Sequence, residues 1–324
     1  MSGIKILGTG SYTPVNRIDN AMLEAIVDTS DEWIRTRTGI ESRCFASGES
    51  NLYMASAACS QAIQSSGIDK GEITVVICAT ITGDYLTPSL SCCLQKELDL
   101  PQNALFFDIN AACSGFVYAL DIAHALLQRA RKGYALIVGS EMLSRVTDFT
   151  DRNTCVLFGD GAGAAVISLA DDRPFFFDAG AKGDCESLSC PSGAAGDNPF
   201  YNNTAEKLPS FIHMNGQEVF RFAVESMVKS VNAVLEQAGI AAGDIDWLVC
   251  HQANARIIAA ASKKLDIPIE KFFMNIATHG NTSSASIPLA LDEMNSKNLL
   301  RRGDKVILAG FGGGLTYGTA YLIW

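Results

Sequence analysis

Residues 67–78 read GIDKGEITVVIC, and residues 239–250 read GIAAGDIDWLVC; five of the twelve positions are identical and three more are conservative exchanges. Two further matches occur in the same order along the chain. ALIVGSE at 135–141 meets VILAGFG at 306–312, and LFFDIN at 105–110 meets KFFMNI at 271–276. Ordered self-similarity of this kind points to an internal duplication. In each copy a helical pattern stops at Gly-Ile and gives way to an apolar run without polar alternation (ITVVIC, IDWLVC). Further strand, helix and strand patterns then lead to a Gly-rich close. Strands that are apolar on both faces belong to a sheet covered by helices on both sides. The expected fold class is therefore α/β: two duplicated halves stacked as alternating layers of helix and sheet around central helices. Residues 171–209 carry DDRP, PSGAAGDNP and little periodicity, and are expected to form a loop-rich joint between the halves.

With 324 residues, 48% of them hydrophobic and 19% charged, the chain can bury a large core. A net charge of −10 and a pI near 4.9 argue against non-specific binding to nucleic acid, since the basic runs are short, RARK among them. A local basic patch would still suit an acidic partner. MSGIKILGTGSYTPVNR lacks the basic flank, apolar core and cleavage site of a secretory signal, and no apolar run approaches the roughly 18 residues needed to span a bilayer. The expected location is the cytoplasm, away from membranes. Many of the ten cysteines lie in apolar runs (Cys78, Cys92, Cys93, Cys155, Cys250) without C-x-x-C pairs, so reduced core thiols are expected and no metal.

One cysteine stands apart. In DINAACSGFVYAL, at 108–120, Cys113 sits where an apolar run hands over to a helix with apolar residues at Phe116, Leu120, Ala123 and Leu127, stopping after Arg129, Arg131 and Lys132 at Gly133. Free N–H groups and the macrodipole at a helix N-terminus favour an anion, so the thiol pKa is expected to fall below the usual ~8.5. Cysteine is also among the most buried residue types. What distinguishes Cys113 is its small neighbours Ala111, Ala112, Ser114 and Gly115, which leave room for a reactant. Of the four histidines, His124 falls within the following helix and His213 on a strand edge. His251 opens HQANARI directly after a buried strand, and His279 lies in THGNTSSAS, another strand exit.

Taken together, GTGSYTP (8–14), TSDEWIRTRTGI (29–40), AACSGF (111–116), FGDGAGAAV (158–166), HQANARI (251–257), GNTSSASIP (280–288) and FGGGLTYG (311–318) resemble the thiolase superfamily, and most the β-ketoacyl-acyl carrier protein synthase III branch. The resemblance spans essentially the whole chain. It implies a layered αβαβα fold, with the nucleophile in an N-terminal half (1–170) and the histidine and asparagine in a C-terminal half (171–324). It also implies an acyltransferase that joins an acyl-CoA primer to malonyl-acyl carrier protein through an acyl-cysteine and starts type II fatty acid synthesis. A related condensing enzyme or acyltransferase of secondary metabolism is the alternative. Cys113 resembles the acylated nucleophile, and His251 and Asn281 the pair that holds the extender's thioester oxygen. The backbone N–H groups of Cys113 and Gly313 resemble the oxyanion hole.

Trp33, Arg37 and Arg152 resemble the residues that hold the CoA nucleotide, while Arg221, Arg256, Lys263 and Lys264 resemble the basic set that receives the carrier protein. A homodimer is implied, without cofactor or metal and with acyl-CoA as substrate. The chain departs from the pattern at Thr87, which stands in DYLTPS where many relatives place a phenylalanine that closes the acyl pocket across the dimer. A smaller residue there implies room for a longer or bulkier primer. Cys250 replaces the proline often found before the histidine. The hydroxymethylglutaryl-CoA synthase branch would want a glutamate in ATITGDYLTPS (79–89), which has none. A non-catalytic acyl-carrier binding module sharing the scaffold is disfavoured by the presence of Cys113, His251 and Asn281. The glycines of GDGAGAAV lack the lysine of a P-loop and read as packing.

Overall fold

Both apolar runs of the opening repeat form largely buried strands. In the computed structural model, which describes residues 2–130, 133–191 and 211–324, the chain begins with β1 (Gly3–Tyr12), β2 (Arg17–Asp19), α1 (Asn20–Glu24), α2 (Asp31–Thr38), β3 (Ser42–Cys44) and α3 (Asn51–Ser66). It continues through β4 (Ile73–Ala79), α4 (Leu90–Glu97), β5 (Leu105–Ile109), α5 (Gly115–Ala130), β6 (Tyr134–Met142) and β7 (Asp160–Ala170). Then follow β8 (Phe175–Asp184), β9 (Leu188–Ser189), β10 (His213–Met214), α6 (Gly216–Ala238), β11 (Trp247–Cys250) and α7 (Ala255–Leu265). The last elements are α8 (Ile276–His279), α9 (Ser286–Ser296), β12 (Lys305–Gly312) and β13 (Gly314–Ile323).

The first large sheet runs β1-β7-β6-β4-β5 and the second β8-β13-β12-β11. Matching β4 to β11, β6 to β12, β7 to β13 and β1 to β8 makes the two orders identical. The counterpart of β5 has shrunk to a single parallel bridge between Leu248 and Phe272, within the KFFMNI stretch that matches LFFDIN. Side-chain alternation distributes the strands between layers. Val75 and Ile77 of β4 face a core shared with α5, α9 and the second sheet, whereas Val76 and Cys78 face α3 and α4. On the far side, Leu248 and Cys250 pack with α6 and α7. Five layers result, with α5 and α9 in the middle: αβαβα.

Helix α5 buries Phe116, Leu120, Ala123 and Leu127, as their spacing predicts. Arg131 and Lys132, read as part of its stop signal, lie outside the described residues. Segment 171–209 needs correction. Its first part is the ten-residue strand β8, paired along β13. Three consecutive phenylalanines favour a pleated surface, and because β8 is an edge strand with one neighbour in its sheet, it lacks the continuous burial that reveals a central strand. Residues 192–209 of the expected joint lie outside the described residues. Cys92 also differs from expectation, being exposed on α4; six of the ten cysteines, Cys113 among them, are buried, and none is in a disulfide.

Each central helix is preceded by a tight turn: Ala112–Ser114 before α5 and Ser283–Ala285 before α9. In both, a non-glycine residue takes a positive φ, 43° at Ala112 and 49° at Ser283, a conformation disfavoured for L-residues. The turns approach each other closely because Gly310 faces Ser114 and Gly139 faces Ser284, where any Cβ would come within 2.9 and 2.3 Å of backbone atoms. The duplication thereby places Cys113 and Ser284 in matching positions at the middle of the molecule.

Candidate active site

Cys113 lies in the turn at the head of α5 and lines a cavity of about 1890 Å³, as do His251, Asn281, Ser283, Gly312 and Gly313. The structure therefore brings the three side chains singled out in the sequence to one cavity. The thiol's acidity is a correction. Burial pushes Cys113 up to about 12 instead of down. The Ser283 hydroxyl and the backbone N–H groups of Gly313 and Cys113 oppose that rise, while the charge of Glu141 adds to it. A helix N-terminus visible in the sequence favours the thiolate, but desolvation outweighs it here.

The glycine run comes up against the sulfur. A Cβ on Gly312 would lie 2.7 Å from the Cβ of Cys113 and 2.8 Å from its Sγ, so only glycine allows this approach. Gly313 joins β12 to β13, and the expected hairpin and the close backbone approach coexist there. Its N–H is near enough to the Cys113 sulfur to favour the thiolate.

His251 follows β11, its N–H donating to the carbonyl of Ala309 on β12 at 2.8 Å. The ring packs edge-on to Phe311, with centroids 5.3 Å apart, and Nδ1 lies 2.7 Å from Ser286 Oγ. Burial drives its pKa down to about 3, so the imidazole is neutral across the physiological range. Asn281 is fixed by its backbone, donating to Leu157 and accepting from Gly159. Its Oδ1 accepts from Ser283 N–H at 2.9 Å, which leaves the amide N–H groups as donors. Both residues are thus presented as neutral donors. His279 does not line the cavity; its Nδ1 is within 3.0 Å of Thr278 Oγ1. His124 Nε2 meets the Ser2 carbonyl at 2.7 Å.

Toward the cavity mouth, the guanidinium groups of Arg37 and Arg152 stand 5.1 and 5.4 Å from the centre of the Trp33 ring. Trp33 and Arg37 line the cavity; Arg152, tied to the Asp28 carbonyl at 2.9 Å, does not. Arg221, Arg256 and Lys264 also line it, whereas Lys263 lies on α7 outside. Thr87 is exposed and not in the lining, which the same loop reaches through Leu86. The expected role of Thr87 in the acyl pocket therefore finds no support within one chain.

Sequence reasoning missed Glu141, Ser283 and Ser286. Glu141 is fully buried behind Cys113, its carboxylate ringed by Thr80, Thr82, Ser284 and the Ile81 amide. A signal existed: ALIVGSE ends a buried strand on its single charged residue. The serines carried none, since GNTSSAS offers several with nothing to separate them. Among the described residues, no group of three or more His, Cys, Asp and Glu is placed to hold a metal ion, and no helix is long and apolar enough to cross a membrane.

A thiol met by backbone N–H groups, opposite two neutral side-chain donors, is matched to the carbonyl of a thioester. On a five-layer scaffold with this repeated topology, that is the design of the thiolase-fold condensing acyltransferases. The family model for 3-oxoacyl-[acyl-carrier-protein (ACP)] synthase III matches residues 107–183, and that for its C-terminal part matches 235–324. A β-ketoacyl-[acyl-carrier-protein] synthase III of Clostridium botulinum strain Hall is 48% identical, over 100% of this chain and 99% of that protein. The crystal structure of 3-oxoacyl-[acyl-carrier-protein] synthase III from Aquifex aeolicus VF5 superposes with a TM-score of 0.91 at 42% identity, covering 99% of this chain and 100% of that one. The priming β-ketosynthase of the R1128 polyketide pathway gives a TM-score of 0.90 at 36% identity, over 99% of this chain and 96% of that one. The chain belongs to the 3-oxoacyl-acyl carrier protein synthase III family.

Proposed function

We propose that the chain is a β-ketoacyl-acyl carrier protein synthase III, performing the decarboxylative condensation of an acyl-CoA primer with malonyl-acyl carrier protein that starts type II fatty acid synthesis. The observation that carries the residue roles is the shared cavity of Cys113, His251 and Asn281. In the first half-reaction the Cys113 sulfur attacks the primer's thioester carbonyl. The oxyanion rests on the N–H groups of Cys113 and Gly313, and CoA departs with its sulfur; one such donor typically contributes about 3 kcal/mol. In the second, the malonyl thioester oxygen lies between the His251 imidazole N–H and the Asn281 amide. As CO₂ leaves, these two donors hold the enolate oxygen, and the carbanion attacks the acyl-cysteine to release the β-ketoacyl product. This is covalent, two-stage catalysis, with acyl-CoA a substrate and no cofactor in the scheme.

Trp33, Arg37 and Arg152 at the mouth are proposed to hold the CoA nucleotide, through aromatic and guanidinium faces and charge on phosphate. Arg221, Arg256, Lys263 and Lys264 are proposed to receive the acidic carrier protein. The exposure of all four supports this, although Arg221 already pairs with Glu218 at 3.2 Å. A homodimer is proposed because β5 is an edge strand with Leu105 exposed, and because Tyr85 and Leu86 stand 63% and 89% exposed beside Thr87. In such a dimer the loop with Thr87 would meet the partner's cavity. The division into halves 1–170 and 171–324 is likewise proposed, supported by the matching sheet orders. A cytoplasmic location is also proposed, in keeping with the absence, among the described residues, of any helix long and apolar enough to cross a membrane.

The similarity to the R1128 priming ketosynthase favours a second reading, a condensing enzyme of secondary metabolism. Incubation with a panel of acyl-CoAs and then malonyl-carrier protein, with the products read by mass spectrometry, tests both. A short saturated or branched β-ketoacyl-carrier product supports the first reading. Acylation discharged only by another acceptor supports the second, and no adduct with any primer refutes both.

A further inference from the structure

The mechanism above leaves unassigned where the Cys113 proton goes. His251 faces the cavity, yet its burial keeps it a poor base. Behind the sulfur, the Ser283 hydroxyl lies near both Cys113 and Glu141 but forms no hydrogen bond of ordinary geometry; it is a buried hydroxyl without a partner. The Glu141 carboxyl is built to be either charged or neutral. As a carboxylate it accepts from Thr82 Oγ1 at 2.6 Å and from the Ile81 amide at 3.2 Å. Thr82 is oriented to donate because its own oxygen accepts from Met142 N–H at 2.8 Å. On the other carboxyl oxygen, Ser284 Oγ lies at 3.1 Å and also 2.7 Å from the Ala79 carbonyl. Ser284 has one proton for these two acceptors: it can donate to the carboxylate, or donate over the shorter contact to Ala79, and its oxygen is then free to accept a proton from neutral Glu141.

We propose that Glu141 is the base for Cys113 and takes the thiol's proton, through Ser283, as Cys113 is acylated. The Cys113 S–H proton passes to the Ser283 oxygen while the Ser283 proton passes to a Glu141 carboxylate oxygen. The thiolate forms its bond to the primer's carbonyl carbon. Collapse of the tetrahedral adduct breaks the carbon–sulfur bond to CoA, and the departing sulfur leaves with the electron pair and takes up the proton that Glu141 received, which returns through Ser283. Site and substrates end with the protons they began with. Burial lifts the Glu141 pKa to about 7, near the pH at which the exchange must run. The titratable groups facing it are the thiols of Cys113, from the turn before α5, and Cys190, from the segment after β9. Its hydrogen-bond partners, from the strand exit after β4 and the turn before α9, are hydroxyls and an amide. The proposal rests on the function above for its acylation step, but the ionisation of Glu141 that readies it as a base is a property of the resting site.

The test measures iodoacetamide alkylation of Cys113 against pH in the full-length chain, read on the Cys113 peptide by mass spectrometry. In the wild type the rate rises about tenfold per pH unit to a break near pH 7 and then levels off, because above the break the sulfur's proton moves to a carboxylate already ionised. Glu141→Gln removes the break and the rate keeps climbing; Glu141→Asp restores one. A wild-type profile without a break, or a break that survives Glu141→Gln, overturns the pairing, and the wild-type and Asp profiles decide the matter even if the Gln variant does not fold. Ser283→Ala keeps the alkylation break but slows single-turnover acylation by acyl-CoA at least tenfold; an unchanged acylation rate removes Ser283 from the route. Alkylation needs no substrate, so failure of the pairing is read separately from failure of the proposed function, in which wild-type Cys113 takes up no acyl group.

Discussion

Ser286 Oγ lies 2.7 Å from Nδ1 of His251 and also accepts the Gln252 backbone N–H at 3.3 Å. Among the described residues the Ser286 hydroxyl has no other hydrogen-bond acceptor than Nδ1, so donation to Nδ1 is the arrangement that satisfies its proton, and the neutral imidazole then carries its own proton on Nε2. That tautomer makes the ring a donor toward a thioester oxygen. Ser286→Ala is expected to release the tautomer and slow condensation about tenfold or more, the worth of roughly one charge-assisted hydrogen bond. Acylation of Cys113 should be spared. Equal losses in both half-reactions, measured by single turnover, would contradict this positioning role.

Gly312→Ala tests the close approach of the glycine run. The added methyl would sit within 2.8 Å of the Cys113 sulfur, so expected losses are at least a hundredfold in acylation and about 1–3 kcal/mol in stability from overpacking. Chemical denaturation and acyl-adduct formation measure the two separately. A fully active Gly312→Ala enzyme would mean that the loop does not need this contact.

The two perturbed groups of the site pull stability in opposite directions. His251 falls to about 3 from an unfolded value of 6.5, so the unfolded chain binds the extra proton and stability is lost as pH falls below 6.5. Glu141 rises to about 7 from 4.5, so its contribution is fully present below 4.5 and is lost as pH rises through 7. Between 4.5 and 6.5 the two slopes offset, each about 1.4 kcal/mol per pH unit. Glu141→Gln should expose the histidine slope, making the melting temperature climb more steeply with pH across that interval than in the wild type. Parallel curves for the two proteins would argue against these buried states.

The legible part of the molecule was whatever a local pattern encodes. Continuous apolar runs announced β4 and β11, helical spacing from Phe116 to Leu127 announced α5, and the handover between strand and helix singled out Cys113. Contacts between distant segments were not legible. Ser286 meets His251 across 35 residues and Ser284 meets Glu141 across 143, and no spacing rule predicts either. The thiol's acidity was misjudged for the same reason, since a helix N-terminus can be read from residues while desolvation depends on what closes over them. Strand β8 was hidden by its edge position.

The most direct measurement follows intact protein mass through both half-reactions in the wild type, Cys113→Ala and His251→Ala. The account predicts that the wild type gains an acyl group from acyl-CoA and loses it to malonyl-carrier protein as a β-ketoacyl product, that Cys113→Ala gains none, and that His251→Ala gains the acyl group and keeps it. An acyl adduct on Cys113→Ala, or normal discharge by His251→Ala, would contradict it.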